Sequence, residues 1–171
     1  MALLLARLSL ATSGDAACYR VAGKPSLDLS NLLRDSAERL LATGHHHFVL
    51  DLAACPSVDS TFIGVLLFIW KGTHKAVPPG GVCLLHAGDL VRHQLDSLGV
   101  LERFDLATVD QSGVHFQELD VATASKAAVT WVCLNAHREL IEANPANAAK
   151  FKDVVEFLEE ETRRSAGPAG V

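Results

Sequence analysis

The run Phe62-Ile-Gly-Val-Leu-Leu-Phe-Ile-Trp70 narrows the possible folds more than any other segment. The pattern predicts a helix from near Ser60 to about Lys75. It is far too short to cross a bilayer, which takes about 20 apolar residues in a row. It is also apolar nearly all round, where a surface helix shows one stripe. Such a helix must be covered on more than one side, by a sheet and by other helices or a partner. The segment before it supplies a strand. Phe48-Val-Leu-Asp-Leu52 is a short apolar run, and a turn containing Pro56 separates it from the helix.

The rest of the chain continues this alternation. Two apolar runs, Leu3–Leu10 and Ala17–Ala22, flank Thr12-Ser13-Gly14-Asp15 and read as an antiparallel hairpin. Ser26 is placed to cap a helix carrying Leu29, Leu32, Leu33, Leu40 and Leu41, with Gly44 ending it. After the central helix, Pro78-Pro79-Gly80-Gly81 is a loop and Val82–Leu85 a buried-type strand. Asp89 is expected to cap a helix stopped by Gly99, and Phe104–Val109 is a last short strand. Strands alternating with helices imply parallel pairing. The fold class is therefore α/β: a mixed sheet flanked by helices over residues 1–110.

Residues 111–171 read differently. Asp110–Glu118 is expected to be loop. Val121–Ala143 has a helical pattern, with Val129, Val132, Cys133, Ala136 and Leu140 on one face. Asn144-Pro145 breaks it, Asn144 serving as cap and Pro145 as first helical residue. Phe151, Val154, Val155 and Leu158 then repeat at i, i+3, i+4 and i+7. This extension is expected to be a helical hairpin packed on the core, against the helix after Ser60, or else exposed and forming a homodimer. Trp70 and Trp131 are assigned to the core.

Charge limits the function. The 171 residues carry a net charge of −5, so no basic field is available for nucleic acid or an anionic membrane. Aromatic residues make up 6%, too few for a base-stacking platform. The four cysteines, Cys18, Cys55, Cys83 and Cys133, lie far apart in sequence and lack the C-x-x-C spacing of zinc or redox sites; buried free thiols of a reducing cytoplasm are expected. Met1–Leu10 is apolar, but no basic region precedes it and Arg7 interrupts it, so no signal peptide is assigned. A cytoplasmic location without membrane partners follows as the expectation.

The candidate site is Asp59-Ser60-Thr61. A strand runs into a loop, and Ser60 stands at the start of the helix. In a parallel sheet this junction lies at the carboxyl edge, where sites gather. Free backbone N–H groups and the positive end of the helix dipole favour a phosphate there. The same residue types are also the preferred plain caps. His86 ends the next strand, so Ser60 and His86, with Asp59 or Asp89, could imitate a hydrolase triad. No Gly-x-Ser-x-Gly elbow accompanies them. His45-His46-His47 could direct only two imidazoles to one side of an extended chain, so no metal site is assigned. No phosphate-binding glycine loop and no cofactor are expected.

These motifs together resemble the STAS domain, the fold of bacterial anti-sigma-factor antagonists, from Leu3 to about Leu106. That family has a strand ending in Asp, a short loop, then Asp-Ser-Ser/Thr-Gly-Leu-Gly and a helix. Here Asp51 is followed by Asp59-Ser60-Thr61-Phe62-Ile63-Gly64. Gly80-Gly81 and Leu95-Asp-Ser-Leu-Gly-Val-Leu101 match later family segments. The resemblance implies a non-enzymatic protein–protein switch in bacterial transcription regulation, binding an anti-sigma factor that is also a serine protein kinase. Ser60 would be the phosphorylated residue, with Thr61 the alternative. Asp59, Ser60, Thr61, Phe62 and Gly64 would contact the partner. Phe62 departs from the family glycine, and would block the partner or anchor it. The alternatives are a scaffold or sensor subunit of a regulatory complex with no phospho-switch, and a serine hydrolase built on Ser60 and His86.

Overall fold

The structure, a computed structural model, describes residues 5–167. The elements in chain order are β1 (Arg7–Ser13), β2 (Ala16–Ala22), α1 (Leu27–Ala42), β3 (His47–Ala54), α2 (Ser60–His74), β4 (Gly81–Leu85), α3 (Asp89–Ser97), β5 (Asp105–Ala107), β6 (Gln117–Leu119), α4 (Lys126–Ala143) and α5 (Asn147–Ser165), with a 3-10 turn at Leu101–Arg103. Leu3 and Leu4, expected in the first strand, lie outside the described residues, as does the start of the segment weighed as a leader.

The sheet has six strands in the order β5-β4-β3-β2-β1-β6. β1 and β2 form the expected hairpin, with Gly14 at φ +59, a conformation that glycine adopts without a side-chain penalty. β2, β3, β4 and β5 pair in parallel. The α/β mixed sheet thus follows the alternation read from the sequence. β6 was expected to be loop. It pairs antiparallel with β1, Leu8 opposite Leu119. Three residues, Gln-Glu-Leu, on an edge strand need no apolar alternation, so the pattern was silent there.

The core lies between the sheet and α1, α2 and α3. Leu8, Tyr19, Leu29, Leu33, Leu50, Phe62, Leu66, Ile69 and Leu84 are fully buried. α2 sits centrally, packed by α1, β4 and α4. Its all-round apolar character is answered by cover on several sides. On the opposite face of the sheet, Cys18, Val49 and Cys83 lie in one row across β2, β3 and β4. The segment after β5 folds over this face. Gln111 Nε2 donates to Cys18 Sγ at 3.1 Å, and the Arg20 guanidinium lies 4.0 Å over the Phe116 ring. All four cysteines are free, but only Cys55 is buried, with its thiol pushed up by burial to about 11. The others are half-buried, a correction to the expectation of buried thiols.

Three local assignments also change. Gly88, not Asp89, is the residue before α3, and no side chain caps it. α4 starts at Lys126 rather than Val121, with Ser125 Oγ accepting from Ala128 N. α5 starts at Asn147 rather than Pro145. Asn144 is held extended (φ −146, ψ 106), the conformation a following proline favours, and it closes α4; its Oδ1 also accepts from Ala146 N at 3.2 Å, so its side chain caps the turn that leads into α5, as expected. Among the described residues, no helix is long and apolar enough to cross a membrane.

Candidate functional site

Ser60 occupies the first position of α2. Asp59 is the cap, its Oδ1 accepting from Phe62 N at 2.8 Å. The cap uses the aspartate, so the Ser60 hydroxyl is left for another partner. That partner comes from α4. Ser60 Oγ lies 3.0 Å from His137 Nε2, and His137 Nδ1 lies 2.6 Å from the Cys133 carbonyl oxygen. A carbonyl oxygen only accepts, so Nδ1 carries the proton. In the neutral ring Nε2 then accepts from the Ser60 hydroxyl. The Phe151 ring on α5 packs edge-on against His137, which is only 6% exposed.

His86 does not meet Ser60, so the pairing on which the hydrolase alternative was built is not formed. Its Nδ1 lies 3.1 Å from Asp51 Oδ1, in a cluster where Arg20 Nε also donates to Asp51 and Ala53 N completes the set. Burial works to raise the Asp51 carboxyl, but these three donors outweigh it and hold the group below the usual range. His86 itself has φ 55, in the left-handed region. The serine has a histidine neighbour all the same, seventy-seven positions along the chain. The third member of a hydrolase set is missing from it, because His137 is oriented by a backbone carbonyl rather than a carboxylate.

The other predicted contact residues are covered. Thr61 is 5% exposed and its Oγ1 points to Cys133 Sγ at 3.7 Å. Burial is the main cause that pushes the Cys133 thiol up. Phe62 is fully buried in the core, so it neither obstructs the surface nor offers an anchor on it. Gly64 lies where α4 crosses α2. A Cβ at this position would run into the Ala136 backbone, so glycine is what lets the two helices approach this closely. Asp59 and Ser60 alone of the five remain half-exposed.

α4 is held on this face along its length. The Arg34 guanidinium of α1 is sandwiched 4.0 Å from the Phe68 ring of α2 and 4.1 Å from the Trp131 ring of α4. Trp131 is 43% exposed, so it is a lid on this arginine rather than a core residue. Lys71 Nζ donates to Glu142 at 2.8 Å and to Glu139 at 3.2 Å, which raises the lysine above its ordinary value. At the far end, Asn147 Nδ2 donates to Leu98 O and Leu140 O, and Asn144 Nδ2 also reaches Leu98 O. A cleft of about 500 Å³ lined by Trp70, His74, Gly80, Arg103 and Asp105 lies at the other end of α2, away from Ser60.

The histidine triplet disperses. His45 Nδ1 turns to Leu40 O, and His47 Nε2 faces Asp15 at 3.5 Å. Among the described residues no group of three His, Cys, Asp or Glu side chains converges as metal ligands would.

A family model for the STAS domain matches residues 7–113, which is more than half of the chain. The chain belongs to the STAS-domain family. Solved structures agree on the fold. The anti-sigma factor antagonist SpoIIAA in its unphosphorylated form matches with TM-score 0.53 and 17% identity, over 59% of this chain and 88% of that one. The Thermotoga maritima protein TM1081 matches with TM-score 0.51 and 15% identity, over 62% and 90%. An anti-sigma factor antagonist from Mycobacterium paratuberculosis matches with TM-score 0.50 and 17% identity, over 60% and 85%. No curated protein sequence matches the chain. The STAS match ends before α4, so the helix that meets Ser60 belongs to the part outside it.

His137 was missed by sequence reasoning. The face chosen for α4 held Val132, Cys133, Ala136 and Leu140, and a histidine one position from Ala136 carried no signal of its own. A polar side chain beside the buried positions of a helix was the available hint.

Proposed function

We propose that this STAS protein is a cytoplasmic, non-enzymatic protein–protein switch of the anti-sigma-factor-antagonist type. Its partner is an anti-sigma factor that is also a serine kinase, and its control is phosphorylation of Ser60. In that step the γ-phosphoryl group of a nucleoside triphosphate passes to Ser60 Oγ, the hydroxyl proton is lost and the nucleoside diphosphate leaves. The observation that carries the reading is the placing of Ser60 on the first turn of α2, half-exposed, with Asp59 taking over the capping role. The helix N-terminus favours the new charge. Asp59 and Ser60 offer the contact surface, and Thr61 becomes an alternative acceptor only where α4 is lifted. A homodimer through the C-terminal helices would use the outer side of α5, where Phe157 is 63% exposed.

The test is phosphate mapping by mass spectrometry on the protein purified from its native cell. Phosphate at Ser60 is the expected result; phosphate found only outside Ser60 and Thr61 sinks the switch. A serine-directed fluorophosphonate probe should leave Ser60 unlabelled. Labelling that vanishes in His137→Ala would favour the hydrolase reading instead.

A further inference from the structure

We infer that phosphorylation of Ser60 and the seating of α4 exclude each other, so the C-terminal hairpin is a built-in occupant of the switch face. The inference rests on the phospho-switch reading for its biological use, but its geometry stands apart from it. Ser60 Oγ and His137 Nε2 are 3.0 Å apart, the separation of one hydrogen bond. A phosphoryl group replaces the proton in that bond with phosphorus and three further oxygens. The donor is lost and the gap is filled.

Something must yield, and the Ser60 side of the contact is the firmer. The first turn of α2 is fixed by the Asp59 cap and by Phe62, which is fully buried beneath it. α4 meets this turn through the Ser60–His137 and Thr61–Cys133 contacts and the Gly64–Ala136 crossing. Displaced by the phosphate, it uncovers Thr61, Gly64 and the Phe68 side of α2 together. Seated, it keeps the serine hydroxyl engaged and covers the surface on which a partner would dock. A partner that competes for the face must match what α4 presents: a helix with a small residue opposite Gly64 and acidic side chains for Lys71.

The experiment uses the full chain with phosphoserine installed at position 60 during translation, so that no kinase is needed. Amide hydrogen exchange is followed over residues 126–143, with β3 and β4 as internal references. Gly64→Ala, which places a Cβ in the Ala136 backbone, is the steric opening control, and Ser60→Ala removes only the hydroxyl. The expected result is exchange at least ten-fold faster over α4 in the phosphoserine chain and in Gly64→Ala, with β3 and β4 unchanged and Ser60→Ala close to the parent. Unchanged α4 protection in the phosphoserine chain overturns the inference, because the phosphate has then turned out to solvent without moving the helix. Equal loss of protection in α4, β3 and β4 also overturns it, as global unfolding. Should Gly64→Ala not fold, the phosphoserine chain decides alone. Absence of phosphate at Ser60 in the native cell would end the phospho-switch reading and leave this result untouched.

Discussion

The two helices of the C-terminal hairpin reverse the ranking their sequences suggest. α5 has the cleaner stripe, Phe151, Val154, Val155 and Leu158, yet among its residues only Asn147 is buried, and Val154 is 39% exposed. α4 has the weaker pattern, yet Val132, Leu134, Ala136, His137 and Leu140 are buried. α4 packs directly on α2, and α5 packs on α4. The hairpin thus packs against the helix after Ser60 as expected, but through α4: the α5 stripe faces α4 in an outer layer, tied down partly by ion pairs such as Arg138–Glu159 at 2.8 Å and Lys126–Glu161 at 3.1 Å. A helix that is covered on two sides has no single polar face, so its amphipathic signal fades as its burial grows.

The strongest way to break this comparison is truncation. A chain ending near Gln111 loses β6, α4 and α5, and strips the cover from α2. Burying a side chain such as Val132 or Leu140 is worth about 1.5–3 kcal/mol. A few such losses are on the scale of a whole domain's stability, about 5–15 kcal/mol. The truncated chain should melt more than 10 °C lower, by roughly 2–4 °C per kcal/mol, and bind ANS. A chain ending at Asn144 loses only α5 and should melt far closer to the parent. Equal melting of the Gln111 chain and the parent would make the hairpin an interaction arm, and residues 1–110 an independent domain.

Single substitutions sharpen the contrast. Leu140→Ala, at a fully buried position, should cost about 3 kcal/mol in urea unfolding. Phe157→Ala, on the outer side of α5, should cost less than about 0.5 kcal/mol, a surface effect. Reversed magnitudes would mean that the outer helix is the buried one in solution. The smallest effect is expected from Arg138→Ala. It removes an exposed ion pair between α4 and α5, and such pairs contribute about 0–1 kcal/mol. A larger loss would show the outer layer to depend on that pair.

Much of the fold was legible in the sequence because it rests on local signals. The hairpin around Gly14, the Ser26 cap, the strand–loop–helix unit at Asp51–Ser60 and the Asn144-Pro145 corner are each specified by neighbouring residues. The motif at Asp59-Ser60-Thr61 and Gly64 led to the STAS family directly. Gly64 was legible as a motif member but not as a crossing point, since only the arrival of Ala136 gives the missing side chain its steric meaning.

The sequence by itself determined the order of elements, the apolar helix that must lie at the centre, and the serine at its start. Periodicity and capping act within a few residues, and these features need nothing more. Tertiary structure alone decided that His86 turns to Asp51 while His137 closes on Ser60, that Phe62 is core, and that α4 rather than α5 covers the site. The physical reason is range. Those outcomes depend on which surfaces fit when segments 35 to 77 residues apart in sequence meet, and the fit is set by the space left at Gly64 and by hydrogen bonds that exist only once the elements have docked.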